Sequence, residues 1–132
     1  MSEMKPLYVL TGPVIHGKGN GRTVGMPTAN LALPKGAELP PFGVYAARVR
    51  VGDEEYLGVT NVGLRPTLTA DPVPTVETFL PDFSGDLYGR SITVALLAFL
   101  RPTRKMASLR EVEAQVERDV ARARMLLTEQ DV

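Results

Sequence analysis

Cysteine is absent from the sequence, which excludes disulfides, thiolate metal sites and cysteine nucleophiles together and suits a reducing cytoplasm. Tryptophan is absent as well, aromatic residues make up 6%, and His16 is the single histidine, to which no catalytic role is given. Neither sign of charge dominates: 15 Lys and Arg balance 15 Asp and Glu, so no bulk field draws the chain to nucleic acid or an anionic membrane. Any anion site has to be local. A barrel that binds single-stranded nucleic acid needs a basic groove with stacking aromatics, and this composition equips the chain poorly for that role. Long apolar runs are missing too. Residues 92–100 form the longest, with one threonine inside, far short of the roughly 20 residues that span a bilayer. The opening "MSEMKPLYVL" is too short in apolar residues for a secretory signal and carries a glutamate. The expectation is a soluble, cytoplasmic monomer without nucleic-acid or membrane partners.

What is present is punctuation. Twelve glycines and eleven prolines are spread along 132 residues instead of gathered in a linker, which marks many short elements separated by turns. Candidate strands occupy residues 7–16, 43–51, 55–62, 75–80 and 91–100. In the second of these Tyr45, Ala47, Val49 and Val51 alternate with Arg48 and Arg50, which predicts one core face and one solvent face. From Ser108 the period changes to steps of three and four through Leu109, Val112, Val116, Val120, Ala123 and Leu127. That stripe predicts an amphipathic helix over about 108–128. Ser108 and Glu111 have the spacing of a capping box. The whole, residues 1–132, reads as one mainly β domain, a small antiparallel barrel with a helix packed on it and short flexible termini. A chain of this length buries roughly two-thirds of its unfolded surface and folds without staples.

Three places carry chemistry. Gly17, Gly19 and Gly21 allow close backbone approach and a nest of N–H groups for an anion, with Lys18 and Arg22 beside them. The spacing matches neither the dinucleotide fingerprint nor the P-loop, and a plain glycine turn is the bland alternative. In "PTAN", Thr28 and Asn30 lie two apart and share one side of an extended segment, so a hydroxyl and an amide oxygen could meet one Mg²⁺; an Asx or threonine turn is the competing reading. Glu77 shares a strand face with Thr75 and Phe79, opposite Val76, Thr78 and Leu80, as either a solvent-face glutamate or a base for an attacking hydroxyl. The basic loop from Arg101 through Arg104 to Met106 is either a connector or the lip of a ligand site.

Taken in order, "VIHGKGNGRTVGMPTANL", "PFGVYAARV", "GVTNVGLRPT", "VETFLPDFSGDLYG" and "LAFLRPTRKMASL" resemble the successive motifs of riboflavin kinases, over most of the chain. The resemblance implies a six-stranded antiparallel Greek-key barrel with a C-terminal amphipathic helix, phosphorylating riboflavin to FMN with ATP and Mg²⁺. By the same resemblance Glu77 is the catalytic base, and Thr28 and Asn30 hold Mg²⁺ and the phosphates. Gly17, Gly19, Gly21, Arg22, Thr23, Leu80, Asp82 and Tyr88 match nucleotide positions, while Arg101, Arg104 and Met106 match flavin positions. Phe79 stands where the family commonly has histidine, and Met106 where an aromatic is usual. These departures motivate one alternative, a flavin- or nucleotide-binding module of the same fold with weakened turnover. Bacterial relatives often fuse this domain behind an adenylyltransferase domain, for which 132 residues leave no room: a complete chain is expected to stop at FMN, and an excised domain of a bifunctional enzyme is the alternative.

Overall fold

Period-two stretches become strands of a barrel. The computed structural model describes residues 5–15, 28–33, 36, 38–65 and 73–130. They form β1 (Tyr8–Ile15), β2 (Thr28–Leu31), β3 (Gly43–Val51), β4 (Glu54–Arg65), β5 (Val73–Phe79), β6 (Ser91–Arg101) and one helix, α1 (Leu109–Gln130). Neighbouring strands are antiparallel and close in the order β1-β2-β5-β4-β3-β6. The run β2-β5-β4-β3 is a Greek key: three hairpin-connected strands, with β2 returned beside β5 by a long connection. Closure removes the exposed edges that an open six-stranded sheet would present.

Inward-facing side chains fill the barrel. Val14, Leu31, Tyr45, Val49, Val62, Val76, Leu80, Ile92, Val94 and Leu96 form one buried cluster. Two threonines sit among them: the Thr60 hydroxyl donates to Thr78 Oγ1 at 2.7 Å, and the Thr78 hydroxyl donates to the Val59 carbonyl at 3.5 Å, so both buried hydroxyls have partners. Burial pushes the Tyr45 phenol above its usual pKa, and the neutral hydroxyl donates to the Pro41 carbonyl at 2.6 Å. The β3–β4 hairpin closes with Val51 opposite Glu54, and Gly52 supplies the left-handed φ of 62° that a two-residue turn requires.

Gly58 on β4 shows how tight the wall is. A Cβ there would stand 2.7 Å from Val49 Cγ2 and 2.9 Å from Thr78 Oγ1. Gly58→Ala is therefore expected to cost about 1–2 kcal/mol through overpacking, read as a lower urea midpoint at unchanged slope; an unchanged midpoint would mean that the wall yields freely.

The outer face of β3 corrects the two-face reading of that strand. Arg50 is exposed and Arg48 half-buried, but Val44 and Ala46 on the same side are buried, because α1 lies across β3, β4 and β6 there. Val44, Ala46, Val59 and Leu100 meet Ala123 of the helix in a second core, with Val120 and Leu126 packed against it. The helix starts as its spacing implies, with the Glu111 N–H donating to Ser108 Oγ at 3.2 Å. The return bond differs from a strict capping box: Glu111 accepts from the Ala107 N–H at 2.8 Å, one residue earlier than the Ser108 N–H.

Candidate functional site

The chemistry gathers on the outer face of the barrel, under the first half of the helix. On β2, Ala29 and Leu31 point into the core, which turns Thr28 and Asn30 outward. On β5, Val76 and Thr78 point inward and Glu77 and Phe79 outward. Register then sets these residues side by side. Glu77 is directly opposite Asn30 of β2 on one side and Asn61 of β4 on the other, while Phe79 lies between Thr28 and Val59. The carboxylate thus stands in a row with two carboxamides, and an aromatic, a hydroxyl and a valine form the next row.

Between this wall and α1 lies a cavity of about 300 Å³. Val44, Val59, Phe79, Val112 and Val116 give it apolar sides; Thr28, Asn61, Glu77, Thr103 and Arg104 give it polar ones; Met106 and Leu109 stand at the start of the helix. Such a pocket, apolar with a few convergent polar groups, has the character of a small-molecule site. The helical stripe is split by it. Ala123 and Leu127 are buried in the barrel–helix core, whereas Val112 and Val116 face the cavity and Leu109 is 52% exposed.

One ion pair holds the two walls together. Arg101, the last residue of β6, donates to Asp119 of α1 from Nε at 3.0 Å and from Nη2 at 2.8 Å. Asp119 also accepts from Gln115 Nε2 at 3.0 Å and is nearly buried. A bidentate pair of this kind fixes direction as well as distance, and so sets the angle of the helix over the pocket. The loop after β6 is pinned too: the Thr103 hydroxyl donates to Asn61 Oδ1 at 3.1 Å.

With this geometry in view, comparison with known proteins is specific. A family model described as Flavokinase: Riboflavin kinase matches residues 4–127. The chain belongs to the riboflavin kinase family. The bifunctional riboflavin kinase/FMN adenylyltransferase of Bacillus subtilis (strain 168) is 40% identical over 114 residues, covering 85% of this chain and 36% of the relative. Among solved structures, riboflavin kinase from Trypanosoma brucei superposes with a TM-score of 0.68 at 28% identity, covering 93% of this chain and 81% of that one. A Streptococcus pneumoniae chain described as a macrolide-efflux protein superposes with a TM-score of 0.81 at 33% identity, over 90% of this chain and 38% of that one. The chain spans a little over a third of the length of the curated bifunctional relatives it matches.

Placed in the riboflavin kinase fold, the residues singled out from sequence divide into groups. Thr28, Asn30 and Glu77 come together in register; Thr28 and Glu77 line the cavity, which Arg101 reaches from the end of β6 and Arg104 and Met106 from the loop after it. The Arg101 guanidinium is already engaged by Asp119 and, through Nη1, by the Pro102 carbonyl at 3.3 Å, so its first task is to hold the wall. Leu80 has its side chain buried in the barrel core. Asp82 is half-exposed and pairs with Arg124 of α1 at 2.8 Å; the hydrogen bond from that guanidinium holds its carboxyl below the ordinary value. Tyr88 is 54% exposed at a turn built by its neighbours: Leu87 plugs the core, the Tyr88 N–H donates to Asp86 Oδ1, and Gly89 takes a φ of 82°. Gly17, Gly19, Gly21, Arg22, Thr23 and His16 lie outside the described residues. Asn61, Thr103 and Asp119 were not singled out from sequence. Asp119 had a legible signal, since it falls three residues after Val116, on the apolar side of the helix.

No helix among the described residues is long and apolar enough to cross a membrane. Nor do the described residues contain a cluster of His, Cys, Asp or Glu that could hold a metal unaided.

Proposed function

We propose that the chain transfers the γ-phosphoryl group of ATP to the ribityl 5′-hydroxyl of riboflavin, giving FMN and ADP. The observation that carries this reading is the placement of Glu77, flanked in register by Asn30 and Asn61 and opening onto a cavity whose other surfaces are largely apolar. The isoalloxazine ring would lie between Phe79, Val59 and the helical valines, with Met106 and Arg104 at its edge, and the ribityl tail would run along the polar row toward Glu77. Membership of the riboflavin kinase family supports the same assignment.

In the reaction the hydroxyl oxygen forms a bond to the γ-phosphorus as the bond from that phosphorus to the β,γ-bridging oxygen breaks, and the hydroxyl proton passes to Glu77. Phosphoryl transfer asks little covalent chemistry of a protein, so most of the rate comes from placement and charge stabilisation. Thr28 and Asn30 fit a divalent cation: both are neutral hard oxygens on one strand face, and Mg²⁺ takes its other ligands from water and phosphate. When bound, the cation would neutralise phosphate charge. Closing the cavity with the flavin ring keeps water from competing with the 5′-hydroxyl for the phosphoryl group.

The test is direct. Protein incubated with riboflavin, ATP and Mg²⁺ is expected to form FMN, resolved by liquid chromatography with fluorescence detection, at a rate proportional to protein. Riboflavin binding without FMN would instead favour a module that has lost turnover, and no binding of either substrate would remove the assignment.

A further inference from the structure

Asn61 is the residue of the site for which the reaction above has no task. It stands directly across the β4–β5 ladder from Glu77, and the Cβ atoms of opposed residues in such a ladder are about 4.5–5.5 Å apart. Both side chains leave the outer face and line the same cavity. A carboxamide has two ends, one acceptor and one donor, and beside a carboxylate only the donor end is favourable. Thr103 meets the oxygen end. Its hydroxyl donates to Asn61 Oδ1 at 3.1 Å, and the NH₂ group lies along the outer face of β4, 3.9 Å from where a Cβ of Gly63 would stand. The bond spans 42 residues and joins the loop bearing Arg104 and Met106 to the strand beside the base.

We propose that Asn61 is a positioning residue for phosphoryl transfer: oriented by Thr103, its amide NH₂ donates toward the Glu77 carboxylate and the attacking hydroxyl, aligning the proton acceptor with the proton. An amide has no useful basicity, so it moves no proton itself. Thr103 acts through Asn61, and seating the loop over a ligand is thereby coupled to alignment of the base. The inference rests on the reading of the site as a riboflavin kinase site.

The experiment compares kcat, KM and pH profile for wild type, Asn61→Ala, Asn61→Asp, Thr103→Val, Thr103→Ser and the double variant Asn61→Ala/Thr103→Val. Loss of a donor to a charged group should lower kcat of Asn61→Ala by about 10- to 100-fold with KM for ATP nearly unchanged. Thr103→Val should lower kcat by a smaller factor, Thr103→Ser should restore it, and the double variant should be no slower than Asn61→Ala, as expected for two residues acting through one bond. Asn61→Asp replaces the donor with a second carboxylate, so the acid limb of its rate profile should move to higher pH, which reads whether the two side chains meet across the ladder; a kcat loss at unchanged KM that Thr103→Ser reverses in Thr103→Val is what a purely structural role would not produce. A wild type that makes no FMN overturns the reading of the site, and this inference with it. An active wild type with Asn61→Ala within about twofold in kcat, or with multiplicative effects in the double variant, overturns the positioning role alone. If Asn61→Ala fails to fold, Thr103→Val decides, since Thr103 is exposed: an unchanged kcat overturns the proposal.

Discussion

Glu77→Gln is expected to lower kcat for FMN formation by about 10²-fold or more while the protein folds as before and KM for ATP changes little. Glutamine keeps the shape of the side chain and its contacts along the row Asn30–Glu77–Asn61, but its amide cannot accept the hydroxyl proton. The cost therefore falls on the transition state and spares ground-state binding, which is the kinetic pattern of a lost base. Steady-state rates at saturating ATP and riboflavin, with thermal melts as the folding control, decide it. A variant turning over at near wild-type rate would remove Glu77 from the role of proton acceptor. Equal losses in kcat/KM for both substrates with a depressed Tm would point to a structural glutamate.

The second large effect is on stability. Asp119→Ala leaves the Arg101 guanidinium facing an apolar wall without its carboxylate, and takes the acceptor from Gln115 as well. Removing one partner of a buried pair costs several kcal/mol; because the Arg101 side chain keeps 22% of its surface in solvent, about 2–3 kcal/mol is expected. In a domain of this size that is a fall in Tm on the order of 10 °C. The double variant Arg101→Met/Asp119→Leu should recover most of the loss, since the penalty lies in the stranded charge more than in the missing attraction. A fall of only a degree or two in Asp119→Ala would show that water reaches the guanidinium freely, and the pair would then be no staple.

The sequence made some of this legible and concealed the rest for identifiable reasons. Period-two alternation located β3, and a change to steps of three and four located α1, because both patterns are written in consecutive residues. β2 is only four residues long, and its core positions Ala29 and Leu31 alternate with Thr28 and Asn30 over too short a span to stand out. That Val44 and Ala46 are covered depends on where the helix lands, which no local pattern states. The grouping of Thr28, Asn30 and Glu77 was reached through motif resemblance, whereas the direct physical cause is the β2–β5 register, a relation between residues 47 apart. Asn61 is hidden for the same reason: its place beside Glu77 is a matter of register, and its own stretch reads as an ordinary strand. Asp119 is legible in sequence, since an acid on the apolar side of an amphipathic helix needs a cation to face, here Arg101.

The division of α1 into a cavity-facing start and a core-facing end has a consequence for how the domain could diversify. Substitutions at Val112 and Val116 alter the lining of the pocket while Ala123 and Leu127 continue to anchor the helix. Ligand preference could thus drift, or be bred in a library, along two turns of helix with little drain on the stability reserve that most changes in a protein draw down. The Arg101–Asp119 pair marks the boundary between the two regimes, and variation beyond it would be paid for in folding.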